Sequence, residues 1–161
     1  MITGTGGLFK KGTGTFTLNG SSTYSGSTTV WEGTLQAGTA ECIPDASNLF
    51  VASGAVLDLN NHNETTGALR GLPGSKVLLG SGTLTFGYGG WGSDFEGEIS
   101  GSGGLVKTGL ASQRLLSANT YTGQTRVDQG ELVIEHAGAL GSSTAGTTLA
   151  AGTTLVLQPS S

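Results

Sequence analysis

Residues 4 to 35 of the chain recur at residues 101 to 132 without a gap. Under this offset of 97 (101 minus 4), Gly4, Gly6, Gly7, Leu8, Lys10, Gly12, Leu18, Thr23, Tyr24, Gly26, Thr28, Val30, Gly33 and Leu35 meet identical residues. Glycines and aliphatics recur with one Lys, one Tyr and two Thr, whereas no acid, histidine or cysteine does. A unit that repeats turns and core positions is architecture rather than a duplicated active site.

Glycine supplies 30 of 161 residues, and charged residues are 11% against a usual ~25%. Aliphatics at regular intervals exclude disorder, and glycines off a three-residue period exclude collagen. With a net charge of -4 and seven scattered basic residues, no stripe exists to follow a phosphate backbone, so nucleic acid is not an expected partner. No apolar run approaches the ~20 residues of a spanning helix, so direct membrane insertion is not expected. Met1-Ile2-Thr3-Gly4 lacks the features of a signal peptide, so a secreted parent would make this chain a fragment. Cys42 is the single cysteine and is read as a small buried hydrophobe, with an exposed dimer-forming thiol as the alternative.

Short alternating segments follow glycine corners, as in Val30-Trp31-Glu32-Gly33-Thr34-Leu35 and Val127-Asp128-Gln129-Gly130-Glu131-Leu132. Period-two alternation fits strands with one buried face, and no window has helical periodicity. Corners placed at Gly12, Gly33, Gly54, Gly82, Gly109, Gly130 and Gly152 give a rung of about 21 residues. Two longer intervals imply insertions near Asn60-Asn61-His62-Asn63-Glu64 and near Gly87 to Gly92. The expectation is an all-β, single-stranded parallel β-helix of about seven coils. Residues 1–161 form one segment with a full unit (about 4–100), read as about four coils, and a partial second (about 101–161). Its core should include Leu8, Leu18, Val30, Leu35, Val51, Leu57, Leu84, Phe86, Leu105, Leu115, Val127, Leu132, Leu149, Leu155 and Leu157.

Gly101-Ser102-Gly103-Gly104-Leu105-Val106-Lys107-Thr108-Gly109, Asn119-Thr120-Tyr121-Thr122-Gly123 and Gly130-Glu131-Leu132 together resemble the autotransporter-associated β-strand repeat. This is the passenger-associated repeat of bacterial surface proteins, and Gly6 to Gly14 with Thr23-Tyr24-Ser25-Gly26 matches the same pattern. The resemblance implies a right-handed helix serving as stalk or scaffold in a passenger at the outer membrane, located extracellularly or on the cell surface, with no catalytic residues to carry over. One departure is Gln113-Arg114 where the first copy has Phe16-Thr17, which puts one inward position in doubt.

Gly89-Gly90-Trp91-Gly92-Ser93-Asp94-Phe95 begins like a calcium nonapeptide. Glu96 holds its aliphatic position and one copy cannot sandwich an ion, so an inserted loop is the better reading and no metal or cofactor is expected. Asp94, Glu96 and Glu98, spaced i, i+2, i+4, would share a strand face. With no basic residue beside them they read as a solvated surface, although clustered carboxylates leave a polysaccharide lyase or hydrolase as the alternative. His62 and His136 lack a third ligand at metal spacing. Outward threonines such as Thr15, Thr17, Thr83 and Thr85 are out of the register that ice binding needs.

The candidate surface contacts are Trp31, Tyr88, Trp91, Asp94 and Glu96. The expected function is a non-enzymatic structural and adhesive module. Its expected partners are a host protein or glycan, and further copies through the solenoid ends. Pro159 would blunt one end.

Overall fold

The computed structural model describes residues 1–158, so the expectation for Pro159 lies outside the described residues. The described chain is wound from short strands that pair in parallel with the strand one coil away, and no helix occurs among these residues. Face one is an eight-stranded sheet: Leu8–Lys10, Thr28–Val30, Leu49–Val51, Leu69–Gly71, Ser93–Phe95, Ser112–Leu115, Glu131–Ile134 and Thr154–Leu157. Face two stacks Thr15–Leu18, Thr34–Ala37, Val56–Asp58, Lys76–Leu78 and Glu98–Ser100. Face three stacks Glu64–Thr65, Leu84–Phe86, Leu105–Lys107, Thr125–Val127 and Thr147–Leu149, preceded in the earliest coils by the pair Thr3–Gly4 and Thr23–Tyr24.

Eight strands on face one make eight coils, one more than the glycine count suggests. Gly12, Gly33, Gly54 and Gly74, with φ between +67 and +83°, turn the chain from face one to face two. Gly109, Gly130 and Gly152, with φ between +69 and +80°, turn it from face three to face one. The glycine series therefore changes corners part-way along the rod and skips a coil. Gly82 belongs to neither series, because its φ is not positive and Gly74 occupies the corner assigned to it.

Correcting that corner removes one expected insertion. Leu49 pairs with Leu69, 20 residues on (69 minus 49), so the Asn60 to Glu64 segment is an ordinary corner. Asn60 and Asn61 turn it with φ of 48 and 69°, a region that Asn tolerates better than most side chains. Asn61 and Asn63 then accept the N–H groups of Ser81 and Thr83 from the next coil. The second expected insertion is present: Gly71 pairs with Phe95, 24 residues on (95 minus 71), and the added length lies in the loop at Gly87 to Gly92.

The two copies of the repeat occupy different faces. Leu8 lies on face one of the first coil and Leu105 on face three of the fifth, so 97 residues carry the chain through four coils and two further faces, not four coils. Their local bonding is nonetheless the same. Lys10 Nζ donates to the carbonyls of Lys11, Gly12 and Glu32, and Lys107 Nζ to those of Thr108, Gly109 and Gln129. Glu32 accepts the Gly12 N–H as Gln129 accepts that of Gly109. Tyr24 pairs with Thr28, and Tyr121 with Thr125. The polar residues that recur thus fasten adjacent coils or close a corner, and burial draws the Lys107 ammonium down to about 8.

Inward apolar side chains fill the rod, from Val30 and Leu49 through Leu69, Leu84, Phe95 and Leu115 to Leu132, all essentially solvent-free. Leu149 and Leu157 of the last coil were expected in this core and are instead 50% and 66% exposed, because no further described coil covers them. Leu8 and Leu155 are half-covered for the same reason. Gln113 does point inward, and its amide donates to Leu69 O and Ser93 O, so a polar residue substitutes for an apolar one with its hydrogen bonds made.

Two outcomes follow for stability. A methyl on Gly123 would lie 2.3 Å from Gly103 O, whereas one on Gly14 would meet nothing. Gly123→Ala should therefore cost about 3 kcal/mol or more in urea unfolding, and Gly14→Ala well under 1 kcal/mol (about the surface norm). Tyr121→Phe leaves the Thr125 hydroxyl without its partner and should cost about 1–2 kcal/mol. Tyr24→Phe should cost less, because Thr28 keeps its bond to Ser47 Oγ at 2.7 Å.

Candidate functional site

The face-one strands Thr28-Thr29-Val30 and Leu49-Phe50-Val51 bury their first and third side chains and turn the middle one outward, and Leu69-Arg70-Gly71 likewise buries Leu69 and exposes Arg70. Parallel register then stacks Phe9, Thr29, Phe50, Arg70, Asp94, Arg114, Val133 and Val156 into one outer row. Trp31 follows the second strand, its N–H bonded to Lys10 O, and its indole lies between two members of the row. Its centroid is 6.2 Å from Phe9 and 6.4 Å from Phe50, with interplanar angles of 25 and 32°. The Arg70 guanidinium lies 5.5 Å from the Phe50 centroid, within cation–π range.

Beyond Arg70 the row becomes ionic. Arg114 Nη1 donates to Asp94 Oδ2 at 3.1 Å and Nε to Glu135 Oε1 at 2.9 Å, so one cation bridges two carboxylates. The shared contact holds the guanidinium above its ordinary value, the Glu135 hydrogen bond being the main cause. Two adjoining clefts open here. One of about 410 Å³ is lined by Arg70, Gly92, Ser93, Asp94, Ser112 and Arg114. The other, of about 350 Å³, includes Thr29, Asn48, Phe50, Arg70, Trp91 and Ser93.

Of the five expected contacts, Trp31, Trp91 and Asp94 belong to this face, linked through Phe50 and Arg70. Tyr88 and Glu96 line neither cleft. Tyr88 is exposed on the inserted loop, its N–H donating to Thr66 O, and Glu96 sits at the corner leaving face one, its N–H donating to Gly71 O. Sequence reading missed Phe9, Phe50, Arg70 and Arg114. Their signal, the middle position of each short strand, becomes specific only once the strands are in register.

Asp94, Glu96 and Glu98 do not share a face. The chain turns between Phe95 and Glu98, so Asp94 lies on face one and Glu98 on face two, where it accepts from Thr120 Oγ1 at 2.9 Å. Arg114 is also the basic neighbour thought lacking. No cluster of three His, Cys, Asp or Glu able to hold a metal occurs among the described residues.

A second set of polar groups lies inside the rod. Cys42 is buried, and Glu64 beneath it accepts from Cys42 N at 3.1 Å, Ile43 N at 2.8 Å and Cys42 Sγ at 3.4 Å. Burial pushes the Glu64 carboxyl up from 4.5 to about 7, and burial with the nearby carboxylate pushes the Cys42 thiol up to about 12. The thiol is therefore neither exposed nor activated.

The fold and this outer face define a class: a repeat-built parallel β-solenoid with its exposed aromatic and ionic side chains aligned on one sheet. Residues 8–37 and 105–134 match the family model of the passenger-associated-transport-repeat, so the chain carries two copies of that repeat. It is 40% identical over 137 residues to the adhesin BmaC autotransporter of Brucella suis biovar 1, covering 82% of this chain and 4% of that protein. It is 35% identical over 91 residues to the uncharacterized lipoprotein YdeK of Escherichia coli K12, covering 56% and 7%. A third similarity, 51% over 41 residues, is to an extracellular serine protease of Serratia marcescens and covers 26% and 4%. The chain thus spans only a few per cent of the length of these relatives. No solved structure matches it. The repeat and the autotransporter relatives identify the chain as part of an exported or surface protein.

The raised Glu64 carboxyl sets a pH dependence. Below pH ~4.5 the group is protonated in folded and unfolded chains alike. As pH rises from there to about 7 the unfolded chain releases the proton first, so stability falls across this window and levels off above it. The shift corresponds to about 3 kcal/mol. Thermal melts from pH 4 to 8 should show that decline in the native chain and a flatter profile in Glu64→Gln.

Proposed function

We propose that this segment is a rigid structural and adhesive element of a passenger displayed at the bacterial surface, without catalysis. It supplies length through stacked coils and presents face one to a host protein or glycan. The observation that carries this reading is the use made of the duplicated polar residues. Lys10 and Lys107, and the two Tyr–Thr pairs, satisfy carbonyls and hydroxyls of the scaffold itself. Repetition here selects rigidity, as in other solenoids whose stability adds repeat by repeat. The name of the Brucella relative, an adhesin, supports the adhesive half of the reading.

The polysaccharide-acting alternative loses its support, since Asp94 is committed to Arg114 and Glu98 to Thr120 on another face. The partly uncovered Leu149, Leu155 and Leu157 favour stacking of a further coil, from the parent chain or from a second copy. Electron microscopy of the purified chain should show short rods that join end to end as concentration rises. Globular particles, or new reducing ends after incubation with polysaccharides, would overturn the reading.

A further inference from the structure

Arg70 is exposed at the junction of the two clefts, and no ion pair among the described residues engages it. Arg114, the next arginine in the row, is neutralised by Asp94 and Glu135. Arg70 is thus the one arginine among the described residues whose guanidinium no carboxylate engages. Phe50 lies against one side of it, and Trp91, 71% exposed on the inserted loop, lines the cleft it shares with Phe50. Serine, threonine and asparagine side chains, including Thr29, Asn48, Ser93 and Ser112, complete the two walls.

We propose that this double cleft is a binding site for an acidic oligosaccharide, a glycan chain carrying hexuronic acid carboxylates. Each component of the site matches one part of such a ligand. A guanidinium receives a carboxylate through two parallel N–H bonds, and Arg70 is the arginine whose donors are not already committed to a carboxylate. The exposed Trp91 indole suits the C–H face of a pyranose ring, with the half-buried Phe50 backing Arg70, while hydroxyl and amide side chains match the sugar hydroxyls. The clefts together reach from the strand of Thr29 to that of Arg114. Five parallel strands at ~4.8 Å span about 19 Å, enough for a chain of several sugar rings rather than one. A peptide adding as a strand is disfavoured, because each of these five strands is already paired on both sides.

This inference rests on the adhesive half of the proposed function. It is tested by calorimetric titration of the whole chain with a hyaluronan octasaccharide and with the same octasaccharide after reduction of its carboxyl groups. Saturable binding is expected for the acidic form, weakened roughly tenfold or more by carboxyl reduction and by Arg70→Gln. Trp91→Ala should weaken both forms, since stacking does not depend on charge. Both positions are solvent-exposed, and unchanged thermal melts would show that the variants remain folded. Absence of saturable binding, equal affinity for the reduced glycan, indifference to Arg70→Gln, or equally effective competition by a glutamate decapeptide would each overturn the proposal. Rods that fail to bind would sink this inference and leave the stalk intact. Cleavage of the bound octasaccharide would do the reverse.

Discussion

Everything in this molecule depends on hydrogen bonds between each coil and the next. Parallel pairing sets successive backbones about 4.8 Å apart, so each residue must fit against its counterpart one coil away. Where corners approach still more closely, a side chain becomes impossible: a Cβ on Gly26 or Gly123 would lie within 3 Å of backbone on the preceding coil. Neither residue has a positive φ. They are glycine because of proximity, whereas Gly33 and Gly130 answer both to proximity and to a left-handed turn.

The same constraint explains how the two repeats can sit on different faces and keep identical bonding. Each motif interacts with the coil beside it and with the corner it closes, and these surroundings are nearly equivalent at the corners after face one and after face three. Lys10 closes the corner after face one and Lys107 the corner after face three, each with three carbonyl acceptors. The repeat is therefore a corner device rather than a face. Function is free to vary on the outward rows, and face one has accumulated Phe9, Trp31, Phe50, Arg70 and Asp94 without disturbing the fastening.

Polar groups inside a narrow rod follow a related rule. Corners strand carbonyls and amides that strand ladders cannot reach, and buried side chains must supply the missing partners. Lys107 does so for carbonyls and Glu64 for the amides of Cys42 and Ile43. Asn119 does both, accepting from Ile99 N–H and donating to Ala139 O. Burial is what shifts Lys107 down and Glu64 up, which makes the interior sensitive to pH while the outer ion pairs are anchored by Arg114 and Arg126.

The sequence by itself determined the class of fold, because period-two alternation and recurrent glycine corners are local properties that a parallel solenoid alone satisfies together. It also marked most inward aliphatics, and it singled out Trp31, Trp91 and Asp94 on the outer surface. Which corner each glycine turns was decided only by the tertiary structure, since Gly54 and Gly109 look alike along the chain yet join different pairs of faces. The eighth coil, the ordinary corner at Asn60 and the separation of Asp94 from Glu98 all follow from that choice. So does the outer row, because Phe50 and Arg70 stand 20 residues apart in sequence (70 minus 50) and meet through strand register alone. Local pattern specifies how a chain turns, but which side chains become neighbours depends on how many residues each coil consumes before it returns.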